Sequence, residues 1–181
     1  MIVSSFELLV KPIAPAPFDP RVSRRVVQAY FLQISNLNPP GVADAALSLQ
    51  FISTPMLNNA ELITITDNGS GNVFSDPVPD PTTGIPSQQL TLPSGTTTLF
   101  VLQPDITQAP PNKASLDVAD LEVRGYVDLN LSPFSANDMA ELLVTPQIRG
   151  TFLPANPRER NPDFDQQAYA LPGGIFKLTK A

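Results

Sequence analysis

Two short stretches hold the side chains best suited to chemistry. Asp67-Asn-Gly-Ser-Gly-Asn72 offers oxygens from Asp67, Asn68, Ser70 and Asn72. Calcium takes several hard oxygen ligands from loops turned by glycine. An EF-hand loop would place oxygens at positions one, three and five and close on an acid. Here position three is Gly69, and no acid closes the loop. An ordinary hairpin turn uses the same residues, because its glycines supply positive φ. The second stretch, Asn161-Pro-Asp-Phe-Asp165, sets Asp163 and Asp165 on one side of an extended chain. Carboxylate pairs bind a cation or divide acid and base roles, but at a separation that only the fold sets. With Arg158, Glu159 and Arg160 just before them, a solvated, self-paired loop is the simpler account.

A third candidate is a face rather than a loop. From Asp120 to Ser132 the chain alternates, with Leu121, Val123, Gly125, Val127, Leu129 and Leu131 on one side. Asp120, Glu122, Arg124, Tyr126, Asp128, Asn130 and Ser132 fall on the other. Strand side chains point alternately to opposite faces, so this is a strand with one buried and one wet side. Arg124 and Tyr126 sit in the wet stripe as a recognition surface, or simply as the solvated side of a sheet. Gly125 interrupts the apolar side, as a bulge, a bend or room for a large ring. Arg21, Arg24 and Arg25 form the basic cluster. An anion site is one use; discouraging edge pairing before an apolar strand is another.

The totals exclude more than these motifs assert. The 181 residues contain no cysteine and no histidine. Thiol nucleophiles, disulfides, Cys-ligated zinc, Ser-His-Asp triads and imidazole bases are therefore absent. No P-loop or dinucleotide fingerprint occurs. Sugar platforms are few, with no Trp and three Tyr. A net charge of −6 argues against a dedicated nucleic-acid binder. No apolar run reaches a membrane-spanning length, and Glu7 interrupts the first apolar stretch, so a cytoplasmic location is the default expectation. Twenty-one prolines punctuate the chain into pieces that suit strands and loops rather than helices.

Strands are expected at 6–10, 26–35, 45–54, 61–67, 89–92, 96–102, 120–132, 148–153 and 174–179. In 26–35 both faces are apolar, as in a central strand. A proline-rich arm is expected at 11–20 and a polar C-terminal loop at 154–173. Ser135-Ala-Asn-Asp138 has the form of a helix N-cap with an acid three residues on. The spacing thus predicts one short helix near 136–144, stopped by Pro146.

Leu90-Thr-Leu-Pro-Ser-Gly-Thr-Thr-Thr-Leu-Phe-Val-Leu-Gln-Pro104 resembles the strand–turn–strand segment of bacterial immunoglobulin-like modules. The cysteine pair and core Trp of antibody-type domains are missing. The resemblance implies a sandwich and brings no activity with it. The chain thus reads as one all-β domain over 1–181, an antiparallel two-sheet β-sandwich of immunoglobulin-like or jelly-roll character. The expected function is a non-catalytic interaction or assembly module working through sheet edges and loops, with a protein partner or a second copy. The alternative is a calcium- or carbohydrate-binding domain using 67–72 or the loop with Arg158, Asp163 and Asp165. No other cofactor is expected.

Overall fold

The computed structural model describes residues 1–14, 17–19, 24–58, 61–106, 120–153 and 165–180. Twelve strands form in chain order: β1 (Ile2–Pro12), β2 (Arg25–Asn36), β3 (Ala45–Thr54), β4 (Leu62–Asp67), β5 (Asn72–Ser75) and β6 (Val78–Pro79). They continue with β7 (Pro86–Leu92), β8 (Thr97–Pro104), β9 (Leu121–Leu131), β10 (Met139–Phe152), β11 (Asp165–Ala170) and β12 (Gly174–Thr179). Every pairing is antiparallel. No α-helix occurs among the described residues, so none there is long and apolar enough to cross a membrane.

Hydrogen bonds join all twelve strands into one sheet rather than the two separate sheets expected. The path runs β5-β4-β8-β2-β1-β9-β3-β7-β6, with β10 along the other edge of β2. The sheet curls on itself into a half-barrel. Phe51 of β3 and Phe100 of β8 lie four steps apart on that path, yet their rings stack at 5.6 Å. Thr64 of β4 similarly donates its hydroxyl to Gln88 of β7 at 3.2 Å. The enclosed core takes Leu32, Ile34, Leu47, Leu49, Leu102, Leu129 and Leu142, among others.

The curl begins on β2. Its residues 25–28 pair with β1 and its residues 30–35 pair with β8, both along the same edge. Tyr30 stands where the two partners part and is fully buried. Its phenol shares a 2.6 Å hydrogen bond with the Ser4 hydroxyl of β1, while its backbone registers with Leu102 of β8. Burial pushes the phenol pKa up, more than the bond to Ser4 lowers it. The second apolar face of β2 is also used. Phe31 lies on the outside of the sheet, opposite Val101 and Gln147, with the Arg149 guanidinium 4.2 Å from its ring centre.

Three expectations are corrected. Residues 139–144 form the start of β10, not a helix. Ala140, Leu142 and Val144 are buried between β2 and β12, so period-two burial overrides the helix-forming composition. Ser135 caps nothing; its buried hydroxyl accepts from the Ala46 amide at 3.3 Å. Part of the loop expected at 154–173 is strand β11, which extends β12 along the outer edge of β10. Residues 145–146 there face three residues, 171–173, so the edge strand carries a bulge. Pro146 is tolerated inside β10 because its carbonyl, which accepts from the Leu171 amide at 3.0 Å, turns toward that bulge. Its missing donor turns the same way, into the break in the ladder.

Gly125 has a packing cause. A Cβ there would lie 2.2 Å from the Ile52 carbonyl oxygen and 2.7 Å from Cζ of Phe6. The ring on the neighbouring strand β1 covers the missing side chain. At Gly150 a Cβ would find only ordinary contact, 3.5 Å from Val26. Gly125→Ala is therefore expected to destabilise the protein by about 1–3 kcal/mol in urea unfolding. Gly150→Ala is expected to leave the midpoint nearly unchanged; equal losses at the two sites would contradict this account.

Candidate functional site

The loop of Asp67, Asn68, Ser70 and Asn72 is the β4–β5 hairpin connection, with Asp67 and Asn72 as its closing pair. Gly69 and Gly71 have φ of 87° and 122°, the positive values the turn requires. The Asp67 carboxylate accepts from the Gly69 amide at 2.8 Å, and the Asn68 carbonyl accepts from the Ser70 amide at 3.1 Å. Both oxygens are thus engaged by the turn itself. Among the described residues no cluster of three or more acids assembles for a metal.

Arg124 and Tyr126 lie on the outward face of β9, as the alternation requires. Arg124 is ion-paired to Glu7 of β1 at 2.6 Å and also to Glu122. Lys11 pairs with Glu122, and Gln28 donates to Glu7 at 2.9 Å. The stripe is a network across β9, β1 and β2 that satisfies its own charges. Tyr126 is half-exposed beside Ile52, its partner on β3. Asp128 accepts from the Met1 amine. Burial acts to raise the Asp128 pKa, but bonds from the amine and Asn130, with the charge of the amine, bring it below the ordinary value.

Arg158, Asp163 and Arg21 lie outside the described residues. Asp165 opens β11 and receives Arg24 Nη1 at 2.6 Å. Arg24 also donates to the carbonyls of Leu153 and Phe152, both at 3.1 Å. This guanidinium therefore ties the start of β2 to the end of β10 and to β11.

Beside that tie lies a feature the sequence did not signal. A cavity of about 250 Å³ opens between the ends of β1 and β10 and the starts of β2 and β11. Leu9, Ile13, Val26, Phe152 and Tyr169 supply its walls, and Gly150 lies among them. These residues come from four strands far apart in the chain, so no local pattern announces them. Two more features escaped the sequence reading: the long outer edge of 165–179, and Phe134, which stands 92% exposed in the β9–β10 connection.

No family model and no curated protein matches the chain. Among solved structures, Clostridium perfringens delta-toxin aligns over 97% of this chain and 77% of its own, at 8% identity and a TM-score of 0.27. A likeness this low carries no argument. The all-β antiparallel fold rests on the strand pairing itself, and no family model supports immunoglobulin-like modules in particular.

One carboxylate is clearly perturbed for a local reason. Asp80, exposed in the β6–β7 turn, accepts from the Thr83 amide at 2.8 Å, the Thr83 hydroxyl at 2.9 Å and the Thr82 amide at 3.0 Å. These bonds favour the ionised form and lower its pKa. A depressed folded value means the contribution to stability is whole above the ordinary carboxylate pKa. It is lost as pH falls through the folded value. NMR titration is expected to find Asp80 ionising below the ordinary range and Thr83→Val moving it upward. No change in the variant would refute the assignment.

Proposed function

We propose that the chain is a non-catalytic interaction or assembly module, binding by strand addition at the edge formed by 165–179. One observation carries the reading: β11 and β12 pair with β10 on one side and, among the described residues, with no strand on the other. Such an edge presents a row of backbone donors and acceptors to an incoming strand. The sheet's other ends are short, four residues in β5 and two in β6. Brevity guards an edge, as charge does. The long edge has little charge, with Asp165 in β11 and Lys177 in β12. Ile175 and Tyr169 add exposed apolar surface along it.

We also read the facing walls of the curled sheet as the halves of a sandwich of immunoglobulin-like or jelly-roll character. The stacking of Phe51 on Phe100 supports this, because it is a contact between walls rather than along one. Fold of this kind hosts many functions, so the functional reading rests on the edge alone.

The pairing geometry supplies a clean test. Pro146 turns its backbone carbonyl toward this edge, so the even residues of β10 do the same, and their partners Gly174, Phe176 and Leu178 face β10. The amide of Ile175 therefore points away. Ile175→Pro removes an outward donor and an exposed side chain without breaking the ladder. Light scattering across a concentration series is expected to show the native chain assembling and Ile175→Pro assembling more weakly, with equal thermal stability. A native chain that stays monomeric at every concentration would refute self-association through this edge.

A further inference from the structure

The edge 165–179 is two runs out of phase. In β11 the partners of Ile148, Gly150 and Phe152 turn their backbone toward β10, which leaves Gln166 and Ala168 facing outward. In β12 the outward backbone belongs to Ile175, Lys177 and Thr179. The bulge at 171–173 makes the switch, so one regular strand cannot follow both runs. Strand β12 is the run with apolar side chains on both faces. Ile175 is 61% exposed on the outer face, and Phe176 packs on the inner face against the core while staying half-buried. Among the described residues nothing bonds the outward amides and carbonyls of Ile175, Lys177 and Thr179.

A second copy brings the same unmet groups, and one symmetric contact satisfies both edges. Its register follows from parity. In an antiparallel pair, outward residues exchange hydrogen bonds only with outward residues. Those of β12 are all odd-numbered, so a two-fold axis passes through a residue and never between two. The axes that keep most of 174–179 paired pass through Phe176 or Lys177. An axis through Lys177 sets two ammonium groups directly opposite each other, which is destabilising.

An axis through Phe176 removes that conflict. Each Lys177 then lies opposite the partner's Ile175, with its apolar stem against that side chain. Its ammonium keeps Glu141, its neighbour on β10, on the other side. The two Phe176 rings meet on the inner face, each beside its own Leu142. A second copy brings an aromatic to Phe176 and an apolar residue to Lys177 by symmetry alone. A foreign strand must be matched to do the same.

We propose that the partner at this edge is a second copy, its β12 paired antiparallel with this one about a two-fold axis through Phe176. This rests on the edge reading above and names its partner and register. The contact closes on itself, so assembly stops at a dimer.

The chain has no cysteine, so introduced thiols report the register without background. In the full chain under a mild oxidant, Phe176→Cys is expected to give a covalent dimer of twice the chain mass. The Cα atoms of such a non-hydrogen-bonded pair stand about 4.5 Å apart, within the span of roughly 4.4–6.8 Å that a disulfide bridges. Ile175→Cys and Lys177→Cys are each expected to stay single alone and to link when mixed, because each lies opposite the other. Both positions are exposed, so the mixture decides if Phe176→Cys fails to fold. Light scattering of the native chain is expected to level off at twice the chain mass.

Lys177→Cys linking to itself overturns the proposal, as does a mixture that does not link or a native assembly that grows past the dimer. If the native chain assembles and Ile175→Pro weakens it, yet the mixed thiols do not link, the edge reading stands and this one falls. If the native chain never assembles, both fall.

Discussion

Two strands share one edge of β2, and the rest of the molecule follows from that division. Each backbone group of a buried strand needs a partner. The other edge of β2 is taken along most of its length by β10, so β1 and β8 divide what remains. They cannot both continue beside it, so β1 leads one wall away and β8 leads the other. The apolar faces of the two walls then meet, and Tyr30 at the division closes the gap between them. A flat sheet of the same strands would leave Leu8, Phe51 and Phe100 in water.

The polar groups that looked most able to do chemistry are largely occupied with structure. Asp67 and Asn68 hold their own turn, and Asp80 holds another. Arg124, Glu122, Glu7 and Lys11 neutralise one another across β9 and β1, as paired surface charges commonly do at modest energetic gain. Asn36, buried near the end of β2, donates to the Leu92 carbonyl at 3.0 Å and accepts from the Asn38 amide at 3.1 Å. These contacts fix loops and strand ends. Among the described residues, exposed surface of apolar or backbone character includes the edge 165–179, the Phe134 ring and the walls of the cavity by Gly150. In the proposed assembly, strand addition would supply affinity through main-chain groups.

Much of the fold was legible in the residues, because a strand's pattern is local. Alternation located β2, β3, β4, β8 and β9 to within a few residues, and the turns Asp67–Asn72 and Pro93–Gly95 announced themselves by glycine and proline. The apolar outer face of β2 read correctly as that of a central strand. Failure came where local preference and burial disagreed. Met139-Ala-Glu-Leu-Leu-Val144 is composed of good helix formers, but its alternate residues are claimed by strands on both sides. The segment Asp165–Ala170 is exposed throughout and shows no buried alternation, so nothing in its own side chains marks it as a strand. Only pairing with β10 does.

The sequence by itself determined an all-β chain, its principal strands, the wet and dry faces of β9, and the absence of thiol and imidazole chemistry. These depend on residue type and on a period of two, which any reader of the chain can count. Tertiary structure alone decided that the strands form one curled sheet, that Gly125 yields to the Phe6 ring, and that four distant strand ends enclose a cavity. It also decided which long edge has no partner strand among the described residues. The physical reason is the same in each case: backbone hydrogen bonds and close packing join residues by position in space, and a sheet path of this kind leaves no trace in the spacing of the residues it joins.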